Sequence, residues 1–86
     1  MCKRNMRIAI SRLTRKEYGL CLEEANFTED QRKVFEMLNR DQCYDIGIMT
    51  ALSLPLHRYY DIKGVVMDKV ERIATEYGFI DKIKER

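Results

Sequence analysis

Apolar residues recur at helical spacing along most of the chain. The longest series runs from residue 59 to residue 77, with steps of three or four residues: Tyr59, Ile62, Val66, Val70, Ile73 and Tyr77. Because an α-helix has 3.6 residues per turn, this spacing places the six side chains on one face. The pattern predicts a long amphipathic helix that faces the core, is interrupted or bent at Gly64 and ends at Gly78 as its C-cap.

Two capping boxes predict the starts of two earlier helices. In the first, Thr14 precedes Glu17 by three residues, and in the second Thr28 precedes Gln31 by three. In a capping box each threonine hydroxyl accepts a bond from the backbone three residues on, and that residue's side chain returns one. The apolar faces expected behind these boxes are Tyr18, Cys21, Leu22 and Ala25 in the first helix, and Val34, Phe35, Met37 and Leu38 in the second.

A shorter helix is expected between the second capping-box helix and the long helix. It covers about residues 42–51, with Asp41 as its cap. Ser53 and Leu54 form the following turn, and Pro55 suits the first turn of the long helix because its missing N–H is not needed there. The expected inward residues are Tyr44 or Asp45, then Ile48, Met49 and Leu52. Four apolar residues lie off the stripes and either pack under the N-terminal segment or form a dimer seam or partner patch: Ile46, Leu56, Val65 and Met67.

These elements predict an all-α fold, a small helical bundle that contains a helix-turn-helix. The expected organisation is a basic arm over 1–12, one helical domain over 13–80 and a polar tail over 81–86. Residues 6–10 alternate between apolar and other side chains, which fits a short N-terminal strand, an extended basic arm or the lead-in to a helix.

Charge is distributed unevenly although the formal net charge is only +2. The first sixteen residues contain no acid and six bases, namely Lys3, Arg4, Arg7, Arg12, Arg15 and Lys16. Residues 17–30 contain five acids and no base. The basic segment is therefore either a tail that follows phosphates or a solvated terminus that pairs with the acidic segment. No apolar run is long enough for a membrane span or a signal peptide, so a cytoplasmic protein without a membrane partner is expected.

The candidate chemistry does not favour an enzyme. Three cysteines without a close pair fit a reducing compartment, and their spacing with the lone His57 is not that of a zinc site, so no metal and no cofactor are expected. His57 and Asp61 are four residues apart, which is typical of a helix-stabilising pair rather than a catalytic dyad. No nucleophile elbow or glycine-rich phosphate loop is present.

The segment from Phe27 to Lys63 resembles the helix-turn-helix of sigma-factor region 4 and of related phage and bacterial regulators. Its opening Phe-Thr-Glu-Asp-Gln-Arg-Lys-Val resembles the threonine-capped helix that precedes that motif. Ile48 and Leu52 match the apolar pair of the bracing helix, and Ser53 stands at the turn glycine, where a positive φ can be required. The string from Tyr59 to Lys63 resembles the recognition helix of small phage late-gene regulators.

The resemblance implies a DNA-binding transcriptional regulator that places helix 55–64 in the major groove of double-stranded DNA. The implied contacts are His57, Arg58, Tyr60 and Lys63, with Lys3, Arg4 and Arg7 of the arm on phosphates or in the minor groove. Monomer and homodimer both remain open. Asp61 and the low net charge favour an alternative, a phage-encoded module of the anti-defence type that binds a host protein and inhibits a nucleic-acid machine.

Overall fold

A computed structural model describes Ile10 and residues 12–39 and 45–79. This part of the chain contains four α-helices and no strand, which confirms the all-α class: α1 (Arg15–Glu24), α2 (Glu29–Leu38), α3 (Asp45–Leu52) and α4 (Leu56–Tyr77). None of these helices combines the length and apolar content needed to cross a membrane.

Several sequence predictions fall on residues outside the described part. They concern most of the basic arm over 1–12, the choice at residues 6–10 between a strand, an extended arm and the lead-in to a helix, the cap at Asp41 and the polar tail over 81–86. Cys2, Cys43 and Tyr44 also lie outside it.

Both predicted capping boxes are confirmed. The Thr14 hydroxyl accepts the Glu17 N–H at 3.1 Å, and the Glu17 carboxylate accepts the Thr14 N–H at 3.0 Å. At α2 the corresponding distances between Thr28 and Gln31 are 3.3 and 3.1 Å. Each box satisfies two backbone donors that the first turn of a helix leaves unpaired, so it fixes where the helix begins.

The core lies between α2 and α4, with α1 packed across them. Phe35 of α2 is fully buried, and its ring centroid lies 5.1 Å from that of Tyr18 and 5.0 Å from that of Phe27. Ile10 is also fully buried, and the Asn39 side chain donates to its carbonyl oxygen at 2.7 Å. The chain just before α1 is therefore attached to the end of α2.

The stripe predicted for α4 is confirmed at five of its six positions. Tyr59, Ile62, Val66, Val70 and Ile73 are buried, but Tyr77 is about half exposed, so the packing ends one turn before the helix does. The prediction that Met67 lies off the core face is wrong, since Met67 is buried. Met67 and the buried Ala74 are seven residues apart on one edge of α4, which makes the buried face wider than the stripe alone.

The two ends of α4 are set by a proline and a glycine. Pro55 was predicted within the first turn but is the N-cap, so α4 begins one residue later, at Leu56. Gly78 is the C-cap, with φ of +88°. Its N–H and that of Phe79 both donate to the Ala74 carbonyl. Because α4 runs unbroken from Leu56 to Tyr77, Gly64 does not interrupt it. Phe79, which follows Gly78, packs back on the core.

The connection between α3 and α4 contains Ser53, Leu54 and Pro55, and it turns through a left-handed residue. Ser53 has φ of +56°, the backbone conformation expected at a position where glycine is usual. The Leu54 N–H donates to the Met49 carbonyl at 2.9 Å and closes the end of α3. The turn conformation thus fits the motif although the residue departs from it.

Replacing Ser53 with glycine is expected to keep or raise the free energy of unfolding, by up to about 1 kcal/mol, because glycine adopts a positive φ without strain. Ser53→Val is expected to lower it by about 1–2 kcal/mol. Urea denaturation followed by circular dichroism measures both. Arg72→Gly, at an exposed position inside α4, is the control and should cost about 1 kcal/mol, because arginine is a good helix former. If Ser53→Gly costs as much as this control, the turn is not left-handed in solution.

Candidate functional site

The first two turns of α4 are held by a few buried side chains and expose most of the others. Tyr59 and Ile62 are buried under α4, and Ile48 is buried under α3. Leu52 and Leu54 pack partly against the same core, and Ile48, Met49 and Leu52 of α3 face inward as predicted. The exposed residues of α4 up to residue 61 are Leu56, His57, Arg58, Tyr60 and Asp61. The adjacent rings of Tyr59 and Tyr60 therefore differ, one buried and one exposed.

A cluster around the carboxylate of Asp45 joins the two helices. The Tyr59 hydroxyl donates to it at 2.6 Å, and the Lys63 ammonium donates to its two oxygens at 3.1 and 3.3 Å. The Tyr60 hydroxyl donates to the second oxygen at 3.4 Å. Asp45 opens α3 while the three donors belong to α4, so the cluster fixes how the two helices lie against each other.

Lys63 is directed into the protein by this cluster. Its side chain is only 12% exposed, and its ammonium lies 5.9 Å from the centre of the Tyr59 ring and 5.4 Å from that of Tyr60. A cation held by a carboxylate and two aromatic faces has little left to offer a phosphate. The geometry therefore favours a positioning role for Lys63, whereas the resemblance implied a contact with DNA.

Arg58 also has an intramolecular partner, but a weaker one. Its guanidinium lies 3.3 Å from the Asp30 carboxylate of α2, and both side chains are about half exposed or more. Exposed pairs of this kind contribute about 0–1 kcal/mol, because water and salt screen them. Arg58 can thus exchange Asp30 for an external anion at small cost.

His57 and Asp61 are exposed and form no ion pair with each other or with any other residue that the structure describes. The four-residue pairing considered from the sequence is therefore absent. Both side chains lie at the surface of α4, where the imidazole offers hydrogen-bonding nitrogens and the carboxylate offers acceptor oxygens. Lys3, Arg4 and Arg7 lie outside the described residues.

Lys69 serves the fold at a distance from this surface. Its ammonium donates to the Asn26 carbonyl at 3.1 Å and to the Gln31 side-chain oxygen at 2.8 Å, and it lies 5.6 Å from the centre of the Phe27 ring. Asn26 has φ of +55°, so the lysine holds a left-handed residue of the α1–α2 connection against α4.

Cys21 is a buried core residue. Burial and the neighbouring Glu17 carboxylate raise the pKa of its thiol to about 11. The thiol is protonated at neutral pH and therefore a poor nucleophile. Among the described residues, no group of three or more histidine, cysteine or acidic side chains is placed to hold a metal ion.

The sequence predicted Asp45 only as one of two alternative inward positions, and its contacts with α4 were not predicted. A signal was present, because Asp45 lies three residues before Ile48 and four before Met49 and so shares their inward face. An acid on an inward face needs a cation or hydroxyl partner from another element, since an unpaired buried charge is costly. Which residues supply it is a tertiary fact.

No protein family model, curated protein or solved structure matches this chain.

Proposed function

We propose that the α3–turn–α4 unit binds double-stranded DNA and that the protein acts as a transcriptional regulator. The observation that carries the proposal is the geometry of this unit. A short braced helix leads through a left-handed Ser53 into a helix whose first two turns are anchored by Tyr59 and expose His57, Arg58 and Tyr60. In proteins of this architecture the N-terminal residues of the second helix enter the major groove.

The roles in this proposal follow from the side chains that remain exposed. Arg58 is the cation of early α4 best suited to a guanine edge or a phosphate, because its pair with Asp30 is weak whereas Lys63 is mostly buried. His57 and Tyr60 supply hydrogen-bonding groups to phosphates or base edges. Asp61 is an exposed negative charge on the same turns, and it lowers the affinity for any phosphate backbone. Recognition by α4 then depends on few contacts and needs additional phosphate neutralisation elsewhere.

Arg58→Ala is expected to weaken binding to a duplex selected from a random pool by about 1–3 kcal/mol if the guanidinium reads a base. Fluorescence anisotropy at low and moderate salt measures the change. Arg72→Ala is the control, since Arg72 is an exposed cation near the other end of α4 with no ion pair to a described residue. Equal losses in the two variants would indicate charge alone, and no salt-dependent binding by the unaltered protein would rule the proposal out.

One observation favours a second candidate, a module that binds a host protein and inhibits a nucleic-acid machine. The surface of α3 and early α4 exposes three large apolar side chains: Ile46 (74%), Leu56 (53%) and Tyr60 (47%). Leu56 and Tyr60 are four residues apart on α4, and Tyr60 reaches Asp45, which precedes Ile46. Apolar side chains grouped in this way are typical of protein contacts. A stoichiometric complex with a protein that survives Arg58→Ala would support this candidate over DNA.

A further inference from the structure

The described cations fall into two groups by their surroundings. Five of them are held by other described side chains or carbonyls, namely Arg32, Lys33, Arg58, Lys63 and Lys69. The other four, Arg12, Arg15, Lys16 and Arg72, are exposed and form no ion pair within the described part of the chain. The first three of them lie within five consecutive residues, so their charges act together, whereas Arg72 lies on α4. We call Arg12, Arg15 and Lys16 the basic corner.

The basic corner stands on a fixed piece of backbone. Ile10 is buried, its carbonyl accepts a bond from the Asn39 side chain at 2.7 Å and another from the Leu13 N–H at 3.3 Å. On the other side of Arg12, the capping box at Thr14 fixes the start of α1. The three cations are therefore presented by an anchored turn and the first turn of a helix.

The cations at the start of α1 lower the free energy of unfolding. Arg15 and Lys16 are the first two residues of α1, where the helix dipole is positive and favours acids. A requirement of folding alone would place acids at these positions, as α2 does with Glu29 and Asp30. The cations and the dipole together create a local positive potential, which is the property that an anionic partner would use.

We propose that the basic corner is a second contact surface for the DNA backbone, which neutralises phosphates while α4 enters the groove. This inference rests on the proposed function and supplies the neutralisation that α4 lacks. The surface is ionic, because Leu13 packs on the core and the large exposed apolar residues of the described chain all lie on α3 and α4. A surface whose described exposed charged side chains are cations fits a phosphate backbone, where counterion release supplies the free energy of binding.

The test replaces the three cations together, as Arg12→Gln, Arg15→Gln and Lys16→Gln. The matched control is the triple variant Arg32→Gln, Lys33→Gln and Arg72→Gln, which removes the same charge from other described positions. Binding to a short random-sequence duplex is measured over a series of salt concentrations. The corner variant is expected to bind roughly 10- to 100-fold more weakly at low salt, with the slope of log K against log salt reduced by about 2–3. Its melting temperature should be unchanged or higher, because cations are removed from a helix start.

The outcomes separate this inference from the proposed function. If the unaltered protein binds and the corner variant keeps its slope, or loses no more than the control, the inference is overturned and the proposed function stands. If the corner variant loses binding while Arg58→Ala changes nothing, the basic corner binds the backbone and recognition by α4 is wrong. Absence of salt-dependent binding by the unaltered protein overturns both.

Discussion

Phe35→Ala is expected to lower the free energy of unfolding by about 3–5 kcal/mol, the largest loss that a single substitution should cause in this protein. Phe35 is fully buried and touches rings from two other segments, Tyr18 of α1 and Phe27 of the α1–α2 connection. Removing the ring leaves a cavity that the surrounding segments can close only partly, because each of them is held by other core contacts. It also removes two aromatic contacts. A chain of this size has a total stability of only about 5–15 kcal/mol, so a large part of it would be lost.

Urea denaturation followed by circular dichroism measures this change. Phe35→Leu is the matched control, because leucine keeps most of the apolar volume and loses only the ring contacts, with an expected cost of about 1–2 kcal/mol. If alanine and leucine cost the same small amount, the three rings do not form the centre of the core. Duplex binding by the leucine variant should equal that of the unaltered protein, since Phe35 is fully buried and cannot itself contact a duplex.

Asp45→Ala is expected to lower the free energy of unfolding by about 2–3 kcal/mol and to weaken duplex binding as well. The substitution leaves the buried Tyr59 without its 2.6 Å acceptor and the mostly buried Lys63 without its carboxylate. Removing one partner of such a cluster costs more than the bond itself, because the remaining groups stay desolvated. Binding should weaken because α3 no longer fixes the start of α4.

Two further variants distinguish positioning from direct contact. Asp45→Asn keeps an acceptor for the Tyr59 hydroxyl and removes the charge opposite Lys63, so it should cost less than alanine. Lys63→Met should weaken binding without changing the salt dependence, since a lysine on a phosphate would reduce the slope by about 1 when removed. A reduced slope in Lys63→Met would show that this lysine contacts DNA after all.

Local patterns explain why much of the fold was predictable. Each capping box requires only residues three apart, so its bonds are decided once the helix starts. The α4 stripe was predictable because a core of three other helices covers one face of it, and periodicity reports that face. The positive φ at Ser53 was expected for a related reason, since a tight turn between two helices leaves few backbone conformations.

The limits of the buried face of α4, at its side and at its C-terminal end, were less predictable than its centre. Met67 was placed off the core, and Tyr77 was placed in it, because periodicity gives the direction of a side chain but not how far the neighbouring helices extend. The width and the end of the buried face depend on what packs there.

The candidate site divides in the same way. The sequence by itself determined which residues of early α4 reach the surface, because the buried Tyr59 and Ile62 set the rotation of the helix. It also determined that the first sixteen residues are basic.

Only the tertiary structure decided which cations remain available. Arg58 meets Asp30 and Lys63 meets Asp45 across 28 and 18 residues of chain, while Arg12, Arg15 and Lys16 meet no described acid. Pairing between charges depends on distance in space, and spacing along the chain carries no record of it.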